Sequence, residues 1–443
     1  MVKGRGVTGI AKIVPKRRKI FYGWWMVLAT AVLYFFSGGT FYYGFTVFFN
    51  PIRETFGWNA AVTSIAFVFQ RLEQGVMGPV AGFLVDRVGP RKLMVPGWIL
   101  AGLGFFLMSR INMLWGFYGA FLIIATGMSF GRSVVTDTAI ANWFVKKRSR
   151  ALTFIYLGMG LSGLLVPLLA LFITNYGWRA ALIIVSIGTF IVGVPLSLVM
   201  RHKPGQYGYF PDGAVAVEAS TDLEVADKRA KQEAAESARS FTVKEALRTR
   251  AFWLLSFVFF FQHIGTSAIM VHIVPYLENV KVPTAIAATA VTGMTLCSLI
   301  GRLAFGLLGD FANKRYLLTA ALALQTAGIF IFSLVDQDRI WLVIPFLLIY
   351  APGYGGTIPL RPALQADYFG TNNFGTIMGL MSIIGMAAGL ASPVVAGWIF
   401  DVTGSYHLAW RLFALVTLPA IPLMLLTIPP KPKTDKAVVG TSY

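Results

Sequence analysis

Gly82–Lys92 reads GFLVDRVGPRK and Gly306–Arg315 reads GLLGDFANKR, two stretches 224 residues apart, each closing an apolar segment. Aligned, Gly82 falls on Gly306, Asp86 on Asp310 and Arg91 on Arg315. A second echo has nearly the same offset: Asn142-Trp143-Phe144 and Asp367-Tyr368-Phe369 each precede an apolar segment. Two echoes at one spacing imply a duplicated unit of about 220 residues, and two such units nearly fill the 443-residue chain. In membrane proteins, two related halves enclose a site near the bilayer midplane and rock about it.

Composition demands the membrane independently. The chain is 56% hydrophobic and 13% charged, with a mean hydropathy of +0.68, whereas soluble domains carry about 25% charged residues. Twelve apolar spans can be marked, each long enough to cross a hydrocarbon core of about 30 Å. The predicted fold is an all-α membrane protein of twelve transmembrane helices in two pseudo-repeated six-helix halves. A basic N-terminus (1–20) precedes the first half (21–200), a central loop (201–249) joins it to the second (250–429), and a short tail (430–443) follows. The Ala-, Glu- and Lys-rich middle of the central loop reads as a loose surface helix in a tether, with a regulatory element as the alternative.

The net charge of +19 invites a nucleic-acid reading, but its placement argues otherwise. Lys16–Lys19, Arg87, Arg91, Lys92, Lys146–Arg150, Lys314, Arg315 and the tail lysines all fall in alternate loops. This positive-inside pattern predicts cytoplasmic termini in a multi-pass protein of a plasma or bacterial inner membrane. Anionic lipid is then the partner of the basic loops. The first segment is too long for a signal-peptide core. The single Cys297 excludes an intrachain disulfide and a cysteine metal cluster. No phosphate-cradling loop, paired-histidine metal motif or nucleophile elbow appears, so neither an enzyme nor a resident cofactor is expected.

At this point the chain resembles the major facilitator superfamily, whose signature between the second and third helices is similar to GFLVDRVGPRK. The resemblance runs from the first span to the twelfth. A narrower likeness, to the monocarboxylate transporter and oxalate/formate antiporter branch, rests on four stretches. These are TVFFNPIRETFGW (Thr46–Trp58), NWFVKKRSRAL (Asn142–Leu152), HIVPYLENV (His272–Val280) and GRLAFGLLGD (Gly301–Asp310). It implies that Arg302 binds a substrate carboxylate, and supports Tyr43 and Tyr118 as cavity hydroxyls. Some members carry an aspartate where Ser298 stands here. The helix 1 and helix 11 lysines of others are also missing.

Ionisable residues within spans cost about 2.5–3.5 kcal/mol on insertion scales, which makes them functional candidates. Here they are Arg71 and Glu73 in the second span, Arg132 and Asp137 in the fourth, His263 and His272 in the seventh, and Arg302 in the eighth. Arg302 has no acid in its own span, and its planar fork suits a carboxylate. Pairing with Glu73 or Asp137 across the halves is the alternative. A histidine can change charge near neutral pH, which makes His263 and His272 candidates for proton coupling. Glu73, Asp137, Arg71 and Arg132 are further charge-relay candidates, although Arg71 and Glu73 also read as structural ion-pair partners on other helices and Arg132 with Asp137 as a local gate or packing pair. Tyr43, Tyr118 and His263 join Arg302 as substrate-binding candidates. Gly82, Asp86, Arg87, Gly89, Arg91, Asp310, Arg315 and Arg361 form the expected cytoplasmic gate, with Asp367 near Arg361.

The leading expectation is a secondary transporter of small organic anions, chiefly monocarboxylates, working as a monomer by proton symport or anion exchange. Efflux of drugs or apolar compounds and a non-transporting receptor are the alternatives.

Overall fold

The computed structural model describes residues 20–58, 75–213 and 240–430. Among them the chain is helical and contains no strand. Helix α1, Tyr22–Ser37, passes through a π turn at Gly38–Tyr42 into Phe45–Phe56. Helix α2 is described over 75–88. Helix α3 is Pro90–Ser109, and α4 is Leu114–Gly131 continued after a break by Val134–Trp143. Helix α5, Arg148–Leu161, runs through a tight turn into Leu165–Gly188. Gly177 interrupts that stretch at φ 78, a conformation glycine adopts without strain, and so ends α5 and starts α6. Helix α6 finishes at Val194–Val199. The second half comprises α7 (Arg250–Asn279), α8 (Thr284–Leu308), α9 (Lys314–Phe332), α10 (Val343–Phe369), α11 (Phe374–Thr403) and α12 (His407–Thr417 with Ala420–Leu426).

Each half has its own apolar core. Phe41, Phe45, Phe105, Phe117 and Phe121 interlock in the first, while Tyr276, Phe332, Phe346 and Trp410 do so in the second. Large apolar residues such as Leu103, Leu122, Ile187, Ile300, Leu348 and Val394 stay exposed. A soluble fold would bury them, whereas lipid leaves them at no cost. Ten helical runs are long and apolar enough to cross a bilayer, and one of these is the α5–α6 pair. The chain is thus an integral multi-pass membrane protein.

The central loop is less slack than a tether at its ends. Asp212, at φ 60, accepts hydrogen bonds from the backbone N–H groups of Val145, Lys146 and Lys147. The Arg201 guanidinium lies 3.8 Å from the centre of the Tyr22 ring, and Tyr209 packs on Trp143. At the far end the Phe241 N–H donates to the Phe369 carbonyl, and Thr242 and Glu245 form a reciprocal helix cap. The expected surface helix in the Ala/Glu-rich middle lies outside the described residues.

Candidate functional site

The halves meet most tightly at the end bearing the basic loops. Asp86, closing α2, accepts the Gly375 and Thr376 N–H groups at 3.1 and 2.8 Å and the Thr376 hydroxyl at 2.7 Å. These N–H groups belong to the first turn of α11, where they have no partner within the helix. Asp310, closing α8, does the same to α5, accepting the Arg150 N–H at 3.3 Å and facing the Ser149 N–H. Each repeat therefore caps a helix of the other repeat with a carboxylate, which is why the motif occurs twice. A charged hydrogen bond is worth about 1.5–3 kcal/mol, and an anion at a helix N-terminus adds about 0.3–1 kcal/mol. Burial pushes the Asp310 carboxyl above its ordinary range, against the pull of those N–H groups and of Arg150.

Glycine makes this approach possible. A Cβ on Gly82 would sit 2.0 Å from the Gly375 carbonyl oxygen, and one on Gly379 would sit 2.6 Å from that of Gly78. The remaining expected gate residues are used differently. Arg87 and Arg91 are exposed, Arg87 lying over the Phe83 ring, and Arg315 contacts Tyr316. Gly89, at φ 83, turns the chain from α2 into α3. The inter-half ion pairs come instead from Arg148 with Asp367 and Arg150 with Asp310, beside a Lys203–Asn372 hydrogen bond. Arg361 does not reach Asp367, because six residues along a helix amount to about 240° of rotation. We expect Asp86→Asn and Asp310→Asn each to slow initial transport rates several-fold while equilibrium ligand binding changes by less than about threefold. A loss of binding with unchanged rates would contradict the latch.

Above the latch lies a cavity of about 450 Å³ between the halves. Its wall includes Arg132 from α4, Arg302 from α8 and Arg361 from α10, and none of its described lining residues is Asp or Glu. Arg302 is 2% exposed. Its Nη1 donates to the Tyr156 carbonyl at 2.8 Å, its Nε has no partner, and Tyr43 hydrogen-bonds to its side chain. Arg361 lies over the Phe259 ring and Arg132 over the Tyr34 ring. None of the three forms an ion pair among the described residues. Unpaired cations in a membrane interior are costly, which keeps all three as candidates for contact with an anion.

Arg132 is placed by a break in its helix. Arg132 is fully extended and Ser133 adopts φ 49, with the Ser133 N–H donating to the Tyr34 hydroxyl oxygen at 2.9 Å. A non-glycine residue at positive φ is strained. Such a break survives at membrane depth where it lines a cavity.

The other candidates divide. His263 lines the cavity, its Nδ1 donating to the Phe259 carbonyl at 2.8 Å. His272 lies outside the lining and pins α7 to its neighbours, with Nε2 on the Pro393 carbonyl and Nδ1 on the Tyr406 hydroxyl. Tyr118 is also outside the lining, packed against Phe117 and Trp115. Asp137 is fully buried behind the wall, where it accepts the Tyr156 hydroxyl at 2.6 Å. Arg71 and Glu73 fall outside the described residues. The sequence reading missed Tyr34, Tyr156 and Tyr354, which line the cavity, and Gln262, which donates to Thr357 at 2.7 Å.

A family model described as Major Facilitator Superfamily matches residues 28–393 and 255–441. The chain is 24% identical over 426 residues to an oxalate:formate antiporter of Oxalobacter formigenes, covering 94% of both sequences. It is 24% identical over 380 residues to monocarboxylate transporter 12 of Xenopus laevis, covering 83% of the chain and 80% of that relative. Its fold is similar to that of the proton:xylose symporter XylE, with a TM-score of 0.74 at 12% identity over 92% of the chain and 96% of XylE.

Proposed function

Because the chain belongs to the Major Facilitator Superfamily of membrane transporters, we propose that it carries small organic anions, with Arg302 binding their carboxylate. The observation that carries this reading is the cavity between the halves, walled by three arginines and by no described acid. A cavity of that charge rejects cations, and its volume admits small carboxylates without selecting for them by size. The guanidinium of Arg302 turns its fork on a carboxylate in two parallel hydrogen bonds, a geometry that an ammonium lacks. Two relatives named for oxalate, formate and monocarboxylates support the same substrate class.

Alternating access follows from the latch. The positive-inside rule supports a cytoplasmic position for the basic, closed end, the reading in which this conformation is shut inward. Loss of the Asp86 and Asp310 caps and parting of the Gly82–Gly375 contact would open the Arg302 cavity to the other side. Proton symport and anion exchange both fit an arginine that stays charged throughout.

Purified protein in lipid vesicles tests the substrate class. Formate, acetate, lactate, pyruvate and oxalate are offered beside xylose and a quaternary amine, with thermal stabilisation and labelled uptake as readouts. At least one carboxylate should stabilise and enter, and the sugar and the amine should do neither. Uptake of the amine without any carboxylate would overturn the assignment.

A further inference from the structure

We propose that Asp137 is the proton-binding group of this carrier, coupled to the anion site through Tyr156. The inference rests on Arg302 binding a carboxylate and adds to it the group that carries the proton.

Asp137 is fully buried, and only one of its carboxylate oxygens is engaged. Oδ2 accepts the Tyr156 hydroxyl at 2.6 Å, and Oδ1 has no hydrogen-bond partner. Among the described residues it forms no ion pair. A structural carboxylate at such depth is normally saturated with donors or clasped by a cation, since burying a half-solvated anion is costly. A carboxyl that must gain and lose a proton keeps one oxygen open.

Tyr156 joins this group to the anion site. Its hydroxyl binds Asp137, and its backbone carbonyl accepts Nη1 of Arg302 at 2.8 Å. Its ring stands edge-on to Tyr34 at 5.4 Å, and the face of Tyr34 holds the Arg132 guanidinium at 4.7 Å. The charged and titratable groups facing Asp137 are thus Tyr34 from α1, Arg132 on α4 itself, Tyr156 from α5 and Arg361 from α10. From α11 the apolar Phe374 and Met378 pack on this stretch of α4, and the one charged residue of α11, Asp401, lies near its far end. Helix α3 carries only Arg91 and Lys92, both exposed.

The linkage follows from charge. An ionised Asp137 draws on the field of Arg132 and Arg361, and it repels a carboxylate held at Arg302. Protonation cancels that competition and leaves all three arginines to the incoming anion. Anion and proton therefore favour each other's binding, and the effect is reciprocal. The break at Arg132–Ser133, four residues before Asp137, lets that part of α4 shift without unwinding the whole helix.

The test uses the full chain and whichever carboxylate of the five above binds most tightly. In wild-type protein, affinity should rise about tenfold between about pH 8 and about pH 6, within the range of ordinary coupling energies. In weakly buffered solution, binding should draw protons from the medium. Asp137→Asn is nearly isosteric. It should bind with an affinity that changes less than about twofold with pH, draw no protons, and exchange anions without accumulating them on an inward proton gradient. Tyr156→Phe keeps the backbone carbonyl that holds Arg302, so it should bind the anion with a weakened pH dependence. This second variant decides the matter if Asp137→Asn does not fold. Full pH dependence or gradient-driven accumulation in Asp137→Asn would overturn the proposal and point to His263. Wild-type binding without proton uptake would overturn it too. Failure of every carboxylate to bind would instead remove the anion reading on which it rests.

Discussion

Arg302→Ala is expected to abolish carboxylate uptake at matched membrane levels of protein. A charged hydrogen bond is worth about 1.5–3 kcal/mol. At 1.4 kcal/mol per factor of ten, its loss weakens binding by roughly tenfold to a hundredfold or more. Folding should survive, because the partners left behind, the Tyr156 carbonyl and Tyr43, are neutral and strand no charge. Arg302→Lys keeps the charge but not the planar fork, so it also falls well below wild type. Labelled uptake by both variants, with binding measured in parallel, checks this. Near-normal uptake by Arg302→Ala would transfer the anion site to Arg132 or Arg361, which share the cavity wall.

Gly82→Val should slow transport by a different route. Its Cβ would fall 2.0 Å from the carbonyl oxygen of Gly375 and 2.4 Å from the carbonyl carbon. Both are backbone atoms, so no side-chain rotation relieves the overlap. Overpacking of this kind costs about 1–3 kcal/mol or more, which shifts the balance toward the open basic end by roughly fivefold to a hundredfold or more. Uptake should fall by more than about tenfold, while binding persists from the basic side. Spin labels at exposed Val88 and Tyr316 in a Cys297→Ser background should report longer distances than in the parent protein. Wild-type rates with unchanged distances would show that the glycine contact does not set closure.

What could be read from the chain was whatever recurs or contrasts. The duplicated motif gave the two halves and singled out Asp86 and Asp310, and a lone arginine in an acid-free span singled out Arg302. Pairings between distant segments could not be read. Tyr156 reaches Asp137 only because α5 folds back on the second part of α4, and Arg361 leaves Asp367 because they lie on different faces of α10. The caps themselves left a signal. At the 225-residue offset of the second echo, Ser149 and Arg150 fall on Phe374 and Gly375, within one residue of the donors Gly375 and Thr376, so the repeat marks the donor helices too. The kink at Ser133 left none, since serine there gives no hint of a positive φ.

The reciprocal helix caps also bear on leakage. Asp86 holds α11 and Asp310 holds α5, each carboxylate in one half and its helix in the other. With one cap lost, the other keeps the parted groups at an effective concentration in the millimolar range or above, so the broken contact re-forms before the bundle parts. The latched end yields only when both caps let go together with the Arg148–Asp367 pair beside them. A bundle fastened in this way can fluctuate at either flank without parting into an open pore.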